Sequence, residues 1–294
     1  MSNSQLEVIV FDVGEGNSAA VGFEEGGEMK WGLIDCCQAD WQSEPPVLTF
    51  LRDHGITAIE FICLTHFHFD HYRGLSHVLQ YCEEKGYPIY SFWRCGIVSA
   101  VDVYHRMLDH AKKVLSYRGP ADKERTLITE HEKRLSVART RELHKILLWW
   151  DRMIQRKERG ELQFWPKKLH GVDKGFKRYG KHLVFHCLAP TTISEHDAEA
   201  HLAFIAGDLP KALKGDSEQA NHASVILFMV FGKAKLLFGG DAGVEVWHQA
   251  LDEASESGQF RRGQVKADLL KASPLLLRVQ TLWLYLGRDG LRPI

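Results

Sequence analysis

The chain has 294 residues, 45% of them hydrophobic and 26% charged, with a formal net charge of -1. That length buries a substantial core, as one large domain or two small ones, and the charge balance gives no global pull toward polyanions. Met1 to Glu7 has no basic region followed by an apolar run, and no apolar stretch is long enough to span a bilayer, so a cytoplasmic protein without a membrane partner is expected.

Leu6 to Val13, Ala19 to Phe23 and Lys30 to Asp35 read as strands, with Gly14, Gly16, Gly26 and Gly27 supplying the turns. Val47 to His54, opened at Pro45-Pro46 and closed by Gly55, reads as a short helix. It leads into a buried strand of Ile59, Phe61, Ile62, Cys63 and Leu64. Where that strand runs out stand His66-Phe67-His68-Phe69-Asp70-His71, four metal-binding side chains in six residues. The C-terminal end of a strand is where open α/β sheets build sites.

The spacing of these six residues carries the chemistry. Residues two apart on an extended segment point the same way, so His66 and His68 can close on one ion through neutral imidazole nitrogens. Asp70 and His71 follow once the chain has turned, and they offer an oxygen and a nitrogen to a second position nearby. A two-metal site is the natural reading, against the plainer one of surface histidines in a polar loop or a single zinc staple.

Beyond the cluster, Leu75, Val78, Leu79 and Tyr81-Cys82 form a helical stripe ended by Gly86, and Pro88 to Arg94 returns as a strand. The segment from 97 to 181 differs in texture and reads as a helical insertion. One helix is suggested by Val101, Tyr104, Leu108 and Val114-Leu115, and a longer one by Leu135, Ala138, Ile146, Trp149, Trp150, Met153 and Ile154. Between Ala121 and Lys181 there are 17 Lys and Arg against 9 Asp and Glu, a surplus of 8 positive charges that leaves -9 for the rest. Such a separation can mark a face that meets nucleic acid or a nucleotide, or a lid over the metal loop. It is also what a solvated helix carries, and the Trp149-Trp150 stripe equally suits docking on the core or pairing in a homodimer. Late in the chain, His182 to Leu188, Ala223 to Val230 and Lys235 to Phe238 are β-rich, and Val244 to Leu251 has helical spacing. The six cysteines, Cys36, Cys37, Cys63, Cys82, Cys95 and Cys187, show no C-x-x-C spacing. They read as small buried thiols in a reducing compartment, with Cys36-Cys37 beside Asp35 as a less favoured neighbour of the metal site.

His66-x-His68-x-Asp70-His71 resembles the signature of the metallo-β-lactamase fold hydrolases. Other stretches resemble the branch that includes the hydrolase domain of ComEC-type DNA-uptake proteins. These are the Phe11-Asp12-Val13-Gly14-Glu15-Gly16-Asn17-Ser18 hairpin, the Gly32-Leu33-Ile34-Asp35 strand with its structural aspartate, Asn221-His222-Ala223-Ser224-Val225, and Leu236-Leu237-Phe238-Gly239-Gly240-Asp241. The resemblance implies a single domain of four layers, αββα, with core 6–96 and 182–272, the helical basic insertion at 97–181, and an atypical tail at 272–294. It also implies two divalent ions, zinc or manganese. His66 and His68 would hold the first, Asp70 and His71 the second, and Asp241 would bridge them. Either Asn221 or His222 would complete the first site, because alternation along a strand lets one of them point inward; His222 is favoured because imidazole is the better ligand.

The family pattern breaks at the tail. Relatives continue after a strand like Ala267-Asp268-Leu269-Leu270-Lys271 into a His-His-Gly-Ser turn, whereas this chain reads Ala272-Ser273-Pro274-Leu275-Leu276-Leu277 and has no histidine after His248. A variant terminus or a shifted reading frame that truncates the protein would each produce this. The second site then rests on Asp70, His71 and Asp241. With both ions bound, the resemblance implies a hydrolase whose metal-activated hydroxide, oriented by Asp70, attacks a phosphodiester. The alternatives are a thioester or lactone hydrolase, or a fold-retaining binding protein impaired by loss of the last motif. Nothing resembles a nucleophile elbow or a P-loop, and a β-lactam substrate is disfavoured because no export signal is apparent.

Overall fold

The computed structural model describes residues 5–95, 138, 141–143, 145–146, 148–171, 173–194, 221–256, 267–271, 285–287 and 290–292. The helix expected over Val101 to Leu115 and the divergent stretch 272–284 lie outside the described residues. The protein is mixed α/β, with two large sheets and several helices.

The first sheet has the order β1 (Leu6–Val10), β2 (Ser18–Glu25), β3 (Glu28–Cys36), β4 (Phe61–Leu64), β5 (Ser91–Cys95), β6 (Trp165–Leu169). Its first three strands are antiparallel neighbours, and β3 to β6 run parallel. The second has the order β11 (Leu269–Lys271), β10 (Ala234–Phe238), β9 (Ile226–Phe231), β8 (Leu183–Ala189), β7 (Lys177–Tyr179), antiparallel except for β10 with β11. A hairpin of β12 (Tyr285–Gly287) and β13 (Gly290–Arg292) lies against β1.

Side-chain alternation sorts the core into layers. In β4, Phe61 and Cys63 face the second sheet, while Ile62 and Leu64 face the helices, so the strand is apolar on both faces and reads as an unbroken hydrophobic run. Between the sheets, Phe61 stacks on Trp93 with centroids 4.4 Å apart, and Phe185 meets both edge-on at 5.0 Å. On the outer face of the first sheet lie α1 (Pro46–Asp53), α3 (Leu75–Lys85) and α4 (148–158). Pro46 opens α1, and α3 ends at Gly86 in the left-handed conformation at φ 71°. On the outer face of the second sheet, α5 (Val244–Glu256) buries Val246, Ala250 and Ala254, one turn apart.

The segment read as a helical insertion is corrected at its C-terminal part. Both β6 and β7 lie between 97 and 181, and each is a sheet edge: β6 pairs with β5 from Ser91↔Trp165 to Cys95↔Leu169, and β7 pairs with β8. Their lysines hid them. Consecutive cations on short edge strands, Lys167-Lys168 and Lys177-Arg178, blunt an open edge against pairing with other chains, and in sequence they read as a solvated helix. Trp149 is buried against Phe92 and Phe164, and Trp150 packs on the same two rings with the Arg94 guanidinium over it. The tryptophan stripe is therefore docked on the core. Arg152 pairs with Glu83, and Arg156 and Arg159 pair with Glu161. All six cysteines are buried and free, and no helix of the described residues is long and apolar enough to cross a membrane.

Candidate metal centre

β4 ends at Leu64, and the next seven residues build the site. His66 is buried, His68 is extended and caps α2 (Phe69–Tyr72), and that single turn swings Asp70 and His71 round to the same place. Asp241 arrives from the second sheet, three residues after β10. Ligand atoms of His66, His68 and Asp241 lie within 4.8 Å of one another, and so do those of Asp70, His71 and Asp241. Five of the six expected ligands are thus brought together, with Asp241 common to both groups.

His222 joins neither group, which corrects the preference for it. The premise of strand alternation fails because Asn221–Ala223 is a 3-10 turn ahead of β9. Asn221 is the buried member, and its Oδ1 has no hydrogen-bond partner among the described residues, whereas His222 is partly exposed.

A buried polar network fixes the ligands. Asp35 accepts from Thr65 at both oxygens, from the amide at 2.8 Å and from Oγ1 at 2.7 Å, and its Oδ2 lies 2.7 Å from His71 Nδ1. With Nδ1 so engaged, His71 turns Nε2 toward Asp241 Oδ2 at 3.4 Å and Asp70 Oδ2 at 3.8 Å. A carboxylate on the far nitrogen is the arrangement that orients metal-binding imidazoles and raises their basicity. Asp35 reaches this position at φ 55°, and among the described residues it is the one non-glycine with positive φ. Asn17 donates Nδ2 to Asp241 Oδ1 at 3.4 Å, so Oδ2 is the oxygen left facing the histidines. The loop carrying Asn17 lies tight against α2. The Asn17 amide donates to the Asp70 carbonyl at 3.1 Å, and a Cβ on Gly16 would sit 2.5 Å from that same oxygen.

The electrostatics suit cation binding. Burial, reinforced by His71 and His68, pushes the His66 imidazole well below its ordinary value of 6.5, so it is neutral. Its Nε2 is buried without a hydrogen-bond partner, 3.9 Å from Asp241 Oδ2. Burial would lower His71 as well, but Asp35 and Asp241 outweigh it and raise that imidazole to about 10. Two carboxylates around one imidazole stabilise positive charge there, and an ion at Nε2 would take the proton's place. An orphaned buried nitrogen on the neutral His66, a second imidazole flanked by carboxylates and the carboxylate of Asp241 common to both groups together form a donor set suited to a divalent transition metal.

Neither the protein-family models nor the curated proteins contain a match to this sequence. The geometry therefore stands by itself.

Thr65 is the residue that reading the sequence missed. Its carbonyl accepts from the Val225 amide at 2.9 Å, joining the two sheets at the site, and its hydroxyl lies 3.1 Å from His71 Nδ1. Its one signal was its position, between a buried strand and the first ligand.

Proposed function

We propose that this chain is a metallo-β-lactamase fold hydrolase of the ComEC-type branch, which cleaves phosphodiester bonds in nucleic acid or a nucleotide with two divalent ions, zinc or manganese. The observation that carries the reading is the meeting of two three-residue donor groups at Asp241, with the buried His66 Nε2 of the first group left without a hydrogen-bond partner among the described residues. The succession of helices, sheet, sheet and helix, with ligands from both sheets at one end, is the layout that family uses.

His66, His68 and Asp241 would hold one ion, and Asp70, His71 and Asp241 the other, with Asn221 Oδ1 as a further oxygen beside the first. Such ions supply a hydroxide near neutral pH and neutralise negative charge on the oxygens of the reacting ester. The chain's own groups do the rest. Asp35 and Thr65 hold the His71 ring in place, and Asn17 fixes which Asp241 oxygen faces the ions. Asp70, whose side chain is 44% exposed, would orient the attacking water at the mouth of the site. A cleft of about 220 Å³ flanks α2, lined by Phe69, Arg73, His77, Arg141 and Glu142.

The test is metal content per purified chain, measured together with hydrolysis of bis-p-nitrophenyl phosphate, on this chain and on a His66→Ala/His68→Ala variant. Close to two ions, with metal-dependent turnover lost in the variant, is the expected result. One ion or none, and no turnover in added zinc or manganese, would overturn it and leave a fold-retaining binding protein.

A further inference from the structure

A second cleft, of about 610 Å³, opens at the opposite end of the first sheet from the metal centre. The parallel strands β4, β5 and β6 begin there, at Phe61, Ser91 and Trp165, while their other ends face the histidine cluster. Lys30, Glu60, Tyr90, Lys157, Trp165 and Lys177 are among its lining residues. Its size falls in the range of small-molecule sites, roughly 300–1,000 Å³.

The charges divide into two sets. Lys30 is engaged, at 3.0 Å from Glu25 and 3.5 Å from Glu60. Lys157 and Lys177 have no ion pair among the described residues, although Lys177 stands close enough to Glu60 to favour its ionised form. Lys177 is instead held over aromatic faces, its Nζ 5.0 Å from the Trp165 ring centroid and 4.9 Å from that of Tyr179. Cation–π contacts of this kind position an ammonium without neutralising it. Tyr90, 38% exposed, is an aromatic face left open to solvent on the same wall. Two ammonium groups without a direct ion pair among the described residues, beside the exposed Tyr90 ring, form a surface for a planar ligand carrying negative charge.

We propose that this cleft is a second ligand site, distinct from the metal centre, which takes a small aromatic anion of the nucleoside monophosphate class. The base lies against Tyr90, and the phosphate is held by Lys157 and Lys177. Lys30 and Glu60 form a paired floor that adds little net charge. The site depends neither on bound metal nor on the hydrolase reading, because none of its lining residues belongs to the histidine cluster.

Calorimetric titration of the intact chain with 5′-AMP, adenosine and inorganic phosphate tests this. One AMP per chain is expected, with adenosine and phosphate each at least about tenfold weaker, since each carries half of the recognised chemistry. AMP binding should persist in His66→Ala/His68→Ala protein, whose metal centre is destroyed, and weaken at least about tenfold in Lys157→Gln/Lys177→Gln protein. Lys157 is exposed and Lys177 half-buried over two rings, and an unchanged circular dichroism spectrum would show that the second variant folds. No AMP binding at millimolar concentration, or binding unaffected by the lysine substitutions, would overturn the proposal. So would binding lost with the histidines, which would place the nucleotide in the metal centre.

Discussion

Asp35 makes no approach to the ion positions, yet three groups depend on it: the Thr65 amide, the Thr65 hydroxyl and His71 Nδ1. Asn at this position would keep the left-handed backbone, which Asn adopts nearly as readily as Asp, while removing the charge that orients His71. Asp35→Asn protein should fold with an unchanged circular dichroism spectrum and bind metal about 10- to 100-fold more weakly, as measured by competition with a chromogenic chelator. Equal affinity in the two proteins would mean that His71 is placed by packing alone. The clustering of candidate ligands was readable from the sequence because six consecutive residues supply four of them, and Asp35 was singled out through the family resemblance. Thr65 was not, since its role comes from contacts with residues 30 positions upstream and 160 downstream. Nor was the choice between Asn221 and His222, because a 3-10 turn replaced the expected strand there.

At the scale of elements, the metal loop and the basic segment are joined by a cap supplied from outside the helix. Gly74, at the N-terminus of α3, offers no side chain to its own helix, and Glu142 fills that role. Its Oε1 accepts from the Gly74 and Ser76 amides at 3.1 and 2.9 Å, and its Oε2 accepts from Ser76 Oγ at 2.7 Å. A carboxylate there satisfies donors that a helix start leaves open, and it meets the positive end of the helix dipole. Glu142→Ala should lower stability by about 0.5–2 kcal/mol in urea unfolding, with Glu142→Gln recovering much of the loss. No change in the unfolding midpoint would show that water replaces the carboxylate at no cost. Nothing in Arg141-Glu142-Leu143 pointed to this contact, since a cap in trans has no spacing rule. By contrast, the boundaries of α1, α3 and β2 to β4 follow proline, glycine and apolar runs that act within a few residues.

At the scale of the whole molecule, the two sheets meet through an apolar layer and at the candidate metal centre. His66, His68, Asp70 and His71 extend from the first sheet, and Asp241 belongs to the second. The hydrogen bond from the Val225 amide to the Thr65 carbonyl spans the same junction. An ion held between the groups therefore cross-links the two halves of the sandwich. Ligands that bind only the folded state stabilise it in proportion to the logarithm of their excess over Kd, about 2.7 kcal/mol at a hundredfold excess. Zinc or manganese should accordingly raise the thermal midpoint of the chelator-treated protein, and both sheets should melt in one transition whether followed by tryptophan fluorescence or by far-ultraviolet circular dichroism. Asp241→Ala removes the one residue common to the two groups, so its midpoint should respond to neither metal. A shift of wild-type size in that variant would mean that metal binds within the first sheet alone, and the cross-link would be absent. Two separate melting transitions would instead show that the apolar layer around Phe61, Trp93 and Phe185 does not couple the sheets.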